Sequence, residues 1–296
     1  MTSTSTTPNF LPLTGIRIFS LALNLPGPAA LMRCHRLGAA CAKLEPPGGD
    51  PMRQYSPTAY AELHTGITLL QADLKSSAGQ ALLQRELAGA DVLITSFRPS
   101  ALAKLGLTWH ALHQQHPHLS QIAIIGAPGD RAEEAGHDLT YLAQSALVAG
   151  LELPATLYAD MAGSLMTSEA VLLAVMHQRS QRGGVYLEVA LSSAAGYLAL
   201  PRTWGLSLPG AAVGGGHAGY RVYRCQDGRV ALAALEPHFA LRLCAATDIE
   251  AGANVMQTML EPATHAAVTA FFLTRTRQEI DALAVEKDIP LHTLSA

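Results

Sequence analysis

"GIRIFSLALNLPGPAALMRCHRLGAACAKLEPP", residues 15–47, decides the fold. Residues 15–21 are short, apolar and β-rich, the pattern of a strand buried on both faces of a parallel sheet. Residues 26–39 then open on prolines and end near Gly38, which predicts a helix. Residues 40–47 form a second apolar run closed by Pro46 and Pro47. Strand, helix and strand in so few residues make a βαβ unit, whose crossover places the two strands parallel.

Outward from that unit the alternation continues. Strands are predicted at 66–74, 91–97 and 120–129, with a helix over 78–90 between the first two. The expectation is a doubly wound, Rossmann-like α/β domain. The middle of the chain reads as helical: a helix after Gly136 with Asp138 as its N-cap, ended by Gly150, and a long helix over 161–184 preceded by Asp160. Residues 220–235 alternate around Asp227-Gly228, a hairpin signal. The predicted organisation is a large α/β domain over 1–190, a Pro/Gly-rich linker over 191–214, and a smaller α+β domain over 215–296.

Composition narrows the function. The chain has 296 residues, 49% hydrophobic and 15% charged, with a formal charge of −3. No basic surplus exists to neutralise phosphates, so nucleic acid is not expected as a partner. Cys34, Cys41, Cys225 and Cys244 form no CxxC pair, which suggests free thiols in a reducing cytoplasm. The polar start "MTSTSTTPNF" lacks the order of a signal peptide, and acids interrupt the longest apolar region, so no membrane span is expected.

Glu45 ends the second strand where a ribose-binding acid would sit in a dinucleotide fold. The preceding turn, "ALNLPGPAA", has prolines instead of GxGxxG, which argues against NAD or FAD. The run of His110, His113, His116 and His118 has no acid or thiol companion and reads as a solvated polar stretch; no metal site is expected. His137 and Asp160 carry more. Each alone is a structural residue, a capping or core histidine and an N-cap. Together, at the positive end of a helix with free N–H groups, they suit deprotonation beside a carbonyl. Glu236 follows the apolar strand "VALAAL", where it could orient His137 or simply start a helix with Pro237.

Several stretches together resemble the family III CoA-transferase and α-methylacyl-CoA racemase superfamily. They are "LPLTGIRIFSL…GPAA…RLGAACAKLEPPGGDPMR", "ADLKSSAGQALLQRELAGADVLITSFRPSALAKLGLTWHALHQQHPHL", "AGHDLTYLAQSA", "YADMAGS" and "GYRVYRCQDGRVALAALEPHF". The resemblance implies that Asp160 is the catalytic carboxylate. The "GHD" form implies a racemase, with His137 and Asp160 as the acid–base pair and Glu236 as the partner of His137. It implies a CoA site over Ala72, Asp73, Leu74, Lys75, Ser96, Phe97, Arg98, Lys104, Gly136, Asp138 and Tyr141. Coenzyme A would enter as part of an acyl-CoA thioester substrate, with no permanently bound cofactor, in an interlocked homodimer. A family III CoA-transferase using Asp160 as nucleophile is the alternative, and a non-catalytic CoA-binding protein a further one. The chain departs from the family pattern at His64-Thr65, at the short loop "GAPGDRAEE", and at its end, "DIPLHTLSA", where the family's return segment is expected to be missing.

Overall fold

A computed structural model describes residues 10–181 and 183–296; most of the polar start therefore lies outside the described residues. The chain divides into two compact units, Met1–Ala199 and Leu200–Ala296.

The first unit begins with β1 (Arg17–Ser20), α1 (Pro26–Arg36) and β2 (Ala40–Glu45). Two short helices, α2 (Met52–Tyr55) and α3 (Pro57–Leu63), lead to β3 (Thr68–Gln71). Next come α4 (Ser77–Ala88), β4 (Val92–Thr95), α5 (Pro99–Lys104), α6 (Trp109–Gln115) and β5 (Ser120–Ile125). The unit closes with α7 (Asp138–Gln144), α8 (Tyr158–Gln181), β6 (Tyr186–Ala190) and α9 (Leu191–Leu198). The six strands are all parallel, in the order β3-β2-β1-β4-β5-β6.

The continuous apolar reading of the strands has a direct cause. Ile18, Ile94, Ile122 and Ile124 face one side, where they pack with Leu31 and Cys34 of α1 and Val171, Ala174 and Val175 of α8. Phe19 and Leu93 face the other, against Leu83 and Leu87 of α4, Leu102 of α5 and Leu112 of α6. With helices on both faces, both sides of a central strand are mostly apolar. Gly27 sits where α1 starts beside β1's exit: a Cβ there would stand 2.2 Å from that of Ala22, so the close approach admits only glycine.

Four expectations are corrected. Strand β6 was not predicted; it is a half-buried edge strand carrying Glu188, so it lacks the apolar run of a central strand. The stretch read as linker from residue 191 begins with helix α9, which packs on α7 and α8. Helix α7 stops at Gln144, with Ala146 in the left-handed region at φ 57°, well short of Gly150. Its N-cap is His137, one residue before Asp138.

Helix α8 is long and apolar enough, by length and composition, to cross a membrane, and half of its apolar window is buried. It is the core helix of this unit. Its buried hydroxyls on Ser164, Thr167 and Ser168 donate back to the carbonyls of Met161, Gly163 and Leu165, the usual way such groups are satisfied inside a helix.

The second unit contains α10 (Leu200–Thr203), β7 (Tyr220–Cys225), β8 (Gly228–Ala233) and α11 (Pro237–Ala246). It continues through α12 (Val255–Thr258), α13 (Pro262–Leu273) and α14 (Arg277–Lys287) to β9 (Leu291–Ser295). The hairpin is present with Gln226 and Asp227 as its loop, and β9, not predicted, pairs antiparallel with β8. Tyr223, Val230, Leu232, Leu243 and Phe272 form its core.

Candidate active site

In an open parallel sheet, ligands bind beyond the carboxyl ends of the strands, where the strand order reverses. Here the reversal lies between β1 and β4. A cavity of about 450 Å³ opens there, lined by Leu23–Pro26 after β1, Ser96–Arg98 after β4, Gly126 after β5 and Leu191 after β6. Tyr55, residues 136–139, Tyr141 and Asp160 also line it.

This lining is held by polar contacts that the chain spacing does not reveal. His137 is the N-cap of α7, and Thr140 Oγ1 serves it, accepting from the His137 N–H at 3.0 Å and donating to the His137 carbonyl at 2.7 Å. The backbone is thus anchored by Thr140, and the imidazole is exposed. Asp138 is buried and accepts from the Asp160 N–H at 2.9 Å, tying the first turn of α7 to that of α8.

Asp160 is the third residue of α8 and not its N-cap, because the helix starts at Tyr158. Its carboxyl is pushed up to about 6, first by burial and then by the Asp138 charge, with His137 pulling the other way. Three of the first-turn amides of α8 are already engaged, leaving Ala159: Tyr158 N–H donates to Thr156, Asp160 N–H to Asp138 and Met161 N–H to Leu157. Those of α7 differ, since Asp138 and Leu139 N–H have no acceptor among the described residues.

Tyr141 is 5% exposed and fills the space between two glycines. A Cβ on either Gly126 or Gly136 would stand 2.5 Å from its hydroxyl. Gly136→Ala is therefore expected to push the ring out of place and cost about 1–3 kcal/mol in urea unfolding. An unchanged midpoint would mean that the ring has room to move.

A second cavity, about 220 Å³, lies beside the first, sharing Leu23 and Phe97 with it. Its walls are Leu44–Pro47, Ala72–Lys75 and Leu105. The predicted site residues therefore separate into groups. Ser96, Arg98, Gly136, His137, Asp138, Tyr141 and Asp160 line the large cavity. Ala72, Asp73, Leu74 and Lys75 line the small one, and Phe97 borders both. Lys104 lines neither; it is exposed at the end of α5, and its charge acts on Glu133. Glu236 belongs to the second unit, where it is the exposed N-cap of α11. Asn24 and Tyr55 were not singled out from the sequence. Asn24 had one signal, its position just after the first strand, where the reversal rule applies.

All four cysteines are free and buried, and burial pushes Cys34 and Cys41 up to about 12, so neither is a nucleophile.

The profile described as CoA-transferase family III matches residues 13–296. Among curated relatives, α-methylacyl-CoA racemase of Homo sapiens is 30% identical over 247 residues, covering 77% of this chain and 63% of that protein. Succinyl-CoA–D-citramalate CoA-transferase of Chloroflexus aurantiacus is 32% identical over 208 residues, covering 64% of this chain and 51% of that protein. The chain thus spans less than two thirds of the length of these relatives. A solved CAIB/BAIF family protein from Brucella suis superposes with a TM-score of 0.79 at 22% identity, over 96% of this chain and 84% of that one. A hypothetical protein from Mycobacterium tuberculosis does so at 0.83, also 22% identical, with the same coverage. Both share the fold.

Proposed function

The chain belongs to CoA-transferase family III, and on that premise we propose that it acts on acyl-CoA thioesters at the carbon next to the carbonyl, exchanging the α-proton between the two faces. The observation that carries this reading is the pairing, in one cavity, of an exposed imidazole and a half-buried carboxyl near 6. A 1,1-proton transfer needs one group to remove the α-proton while a second delivers a proton to the opposite face. The two must begin in opposite protonation states, and both must titrate near neutrality. Asp160 acquires that range from its surroundings, and His137 supplies the second proton-carrying group of the cavity.

The thioester oxygen takes up charge when the α-proton leaves. The unengaged amides of Asp138 and Leu139, at the positive end of α7, are the donors suited to it. The small, largely apolar cavity suits the adenine end of CoA, with Lys75 and Arg98 near its phosphates. Glu236 is assigned no step.

The transferase reading uses Asp160 as a nucleophile toward an acyl-CoA, and relatives of similar identity carry CoA-transferase names. One experiment separates the readings. A 2-methylacyl-CoA incubated with the protein in deuterium oxide should gain deuterium at its α-carbon while remaining a thioester. Acyl exchange onto a free carboxylate, with a borohydride-trappable Asp160, would replace this reading by the transferase. Neither reaction, with CoA still bound, would leave a binding protein.

A further inference from the structure

Lys43 is completely buried, yet the chemistry above does not use it. Its ammonium lies 3.0 Å from Glu45 Oε1 and 3.0 Å from His64 Nε2, and it pairs with Asp50. Glu45, Asp50 and His64 each place a ligand atom within 4.8 Å of the others, the layout of a cation site. The cation that fills it is the lysine's own.

Every member of the cluster is tied to something. Glu45 accepts from the Tyr60 hydroxyl at 2.9 Å and from the Asp50 N–H at 3.2 Å. His64 Nδ1 meets the Tyr60 carbonyl at 2.7 Å, so Nε2 is the acceptor facing Lys43. Asp50 accepts from Met52 N–H at 2.9 Å and, with both oxygens, from Asn24 N–H at 3.1 Å. Asn24 sits in the left-handed region at φ 64°, which an unsupported residue of this type adopts only at a cost. Its side-chain oxygen accepts from the Tyr55 hydroxyl.

The loop from Glu45 to Met52 therefore begins on the wall of the small cavity, with Glu45, Pro46 and Pro47, and ends on the wall of the large one, with Met52. Lys43 pairs with a carboxylate near each end of it. We propose that Lys43 is a positioning residue: it clamps this loop so that the two cavities hold the two ends of one elongated ligand at a set separation. That ligand is an acyl-CoA only if the functional reading above holds; the clamp itself rests on the geometry. Without the ammonium, two buried carboxylates would face each other uncompensated, and Asn24 would lose the acceptor that holds its backbone.

Two variants test this. Lys43→Met removes the charge. Asp50→Asn keeps the Lys43–Glu45 pair, so it remains informative should Lys43→Met fail to fold. Hydrogen exchange should be about tenfold or more faster at the Asn24 and Met52 amides, with Leu93 and Ile122 unchanged. With turnover, KM for the acyl-CoA should rise about tenfold while kcat stays within about threefold, the pattern of lost uniform binding. Wild-type protection at Asn24 and Met52, an unchanged KM, or faster exchange spread evenly over the sheet would overturn the clamp. If the wild-type protein turns over no acyl-CoA, the functional reading falls, and amide exchange still decides on Lys43.

Discussion

Asp160→Asn should lower α-proton exchange at least about 10³-fold and, at neutral pH, make the protein more stable. Both effects have one cause. The carboxyl titrates near 3.8 in an unfolded chain and near 6 in the fold, because burial and the neighbouring Asp138 disfavour its charge. Below the lower value both states hold the proton, and the site contributes no difference. Between the two values the folded protein keeps a proton that the unfolded chain releases, so stability falls as pH rises through that window. Above it the whole cost of a half-buried charge is present, about 1–3 kcal/mol for a shift of this size. The amide removes that cost. Urea unfolding of the two proteins should differ at about pH 7.5 and converge near about pH 4. An equal difference at both would mean that Asp160 titrates as an ordinary surface acid. In the direction where Asp160 removes the proton, kcat/KM should rise with pH through about 6, as the carboxylate forms.

His137→Ala should separate the two enantiomers. Each face of the α-carbon needs its own base, so deleting the imidazole should cut exchange from one enantiomer about 10²–10⁴-fold. The other enantiomer can still be deprotonated by Asp160 and should keep measurable exchange. Asp160→Asn should show the opposite preference. Two enantiomers lost equally in His137→Ala would indicate a single-base or nucleophilic mechanism, and full activity would remove His137 from the chemistry. The variant should fold, since Thr140 holds the His137 backbone through contacts that the substitution leaves in place.

Much of the large unit was legible because its strands are covered on both faces. Residues 15–21, 40–47, 91–97 and 120–129 each contain an observed strand, trimmed by a few residues at the ends where the chain turns. Edge strands were harder. β6 is a five-residue run interrupted by Glu188, and β9 is a short stretch of mixed polarity, so neither stands out from a loop. The caps lie one to three residues from where the side chains point: Asp138 and Asp160 both have N-cap chemistry, but one bridges two helices and the other sits inside a first turn. Spacing cannot distinguish a carboxylate that caps its own helix from one that reaches across to a neighbour's amide.

The chain's chemistry in one dimension, runs of apolar residues separated by Pro/Gly turns, was enough to determine a parallel α/β layer and the kinds of side chain available for catalysis. Folding in three dimensions decided the rest. The strand order 3-2-1-4-5-6 brings residues 24, 55, 96–98, 137 and 160 to one crevice, although they are scattered over more than 130 positions. It also decided that Asp160 is an acid of about 6 and that Lys43 is a buried counter-charge. Proton affinity and ion pairing depend on which groups and how much water surround a side chain, and those neighbours are supplied by packing, not by adjacency along the backbone.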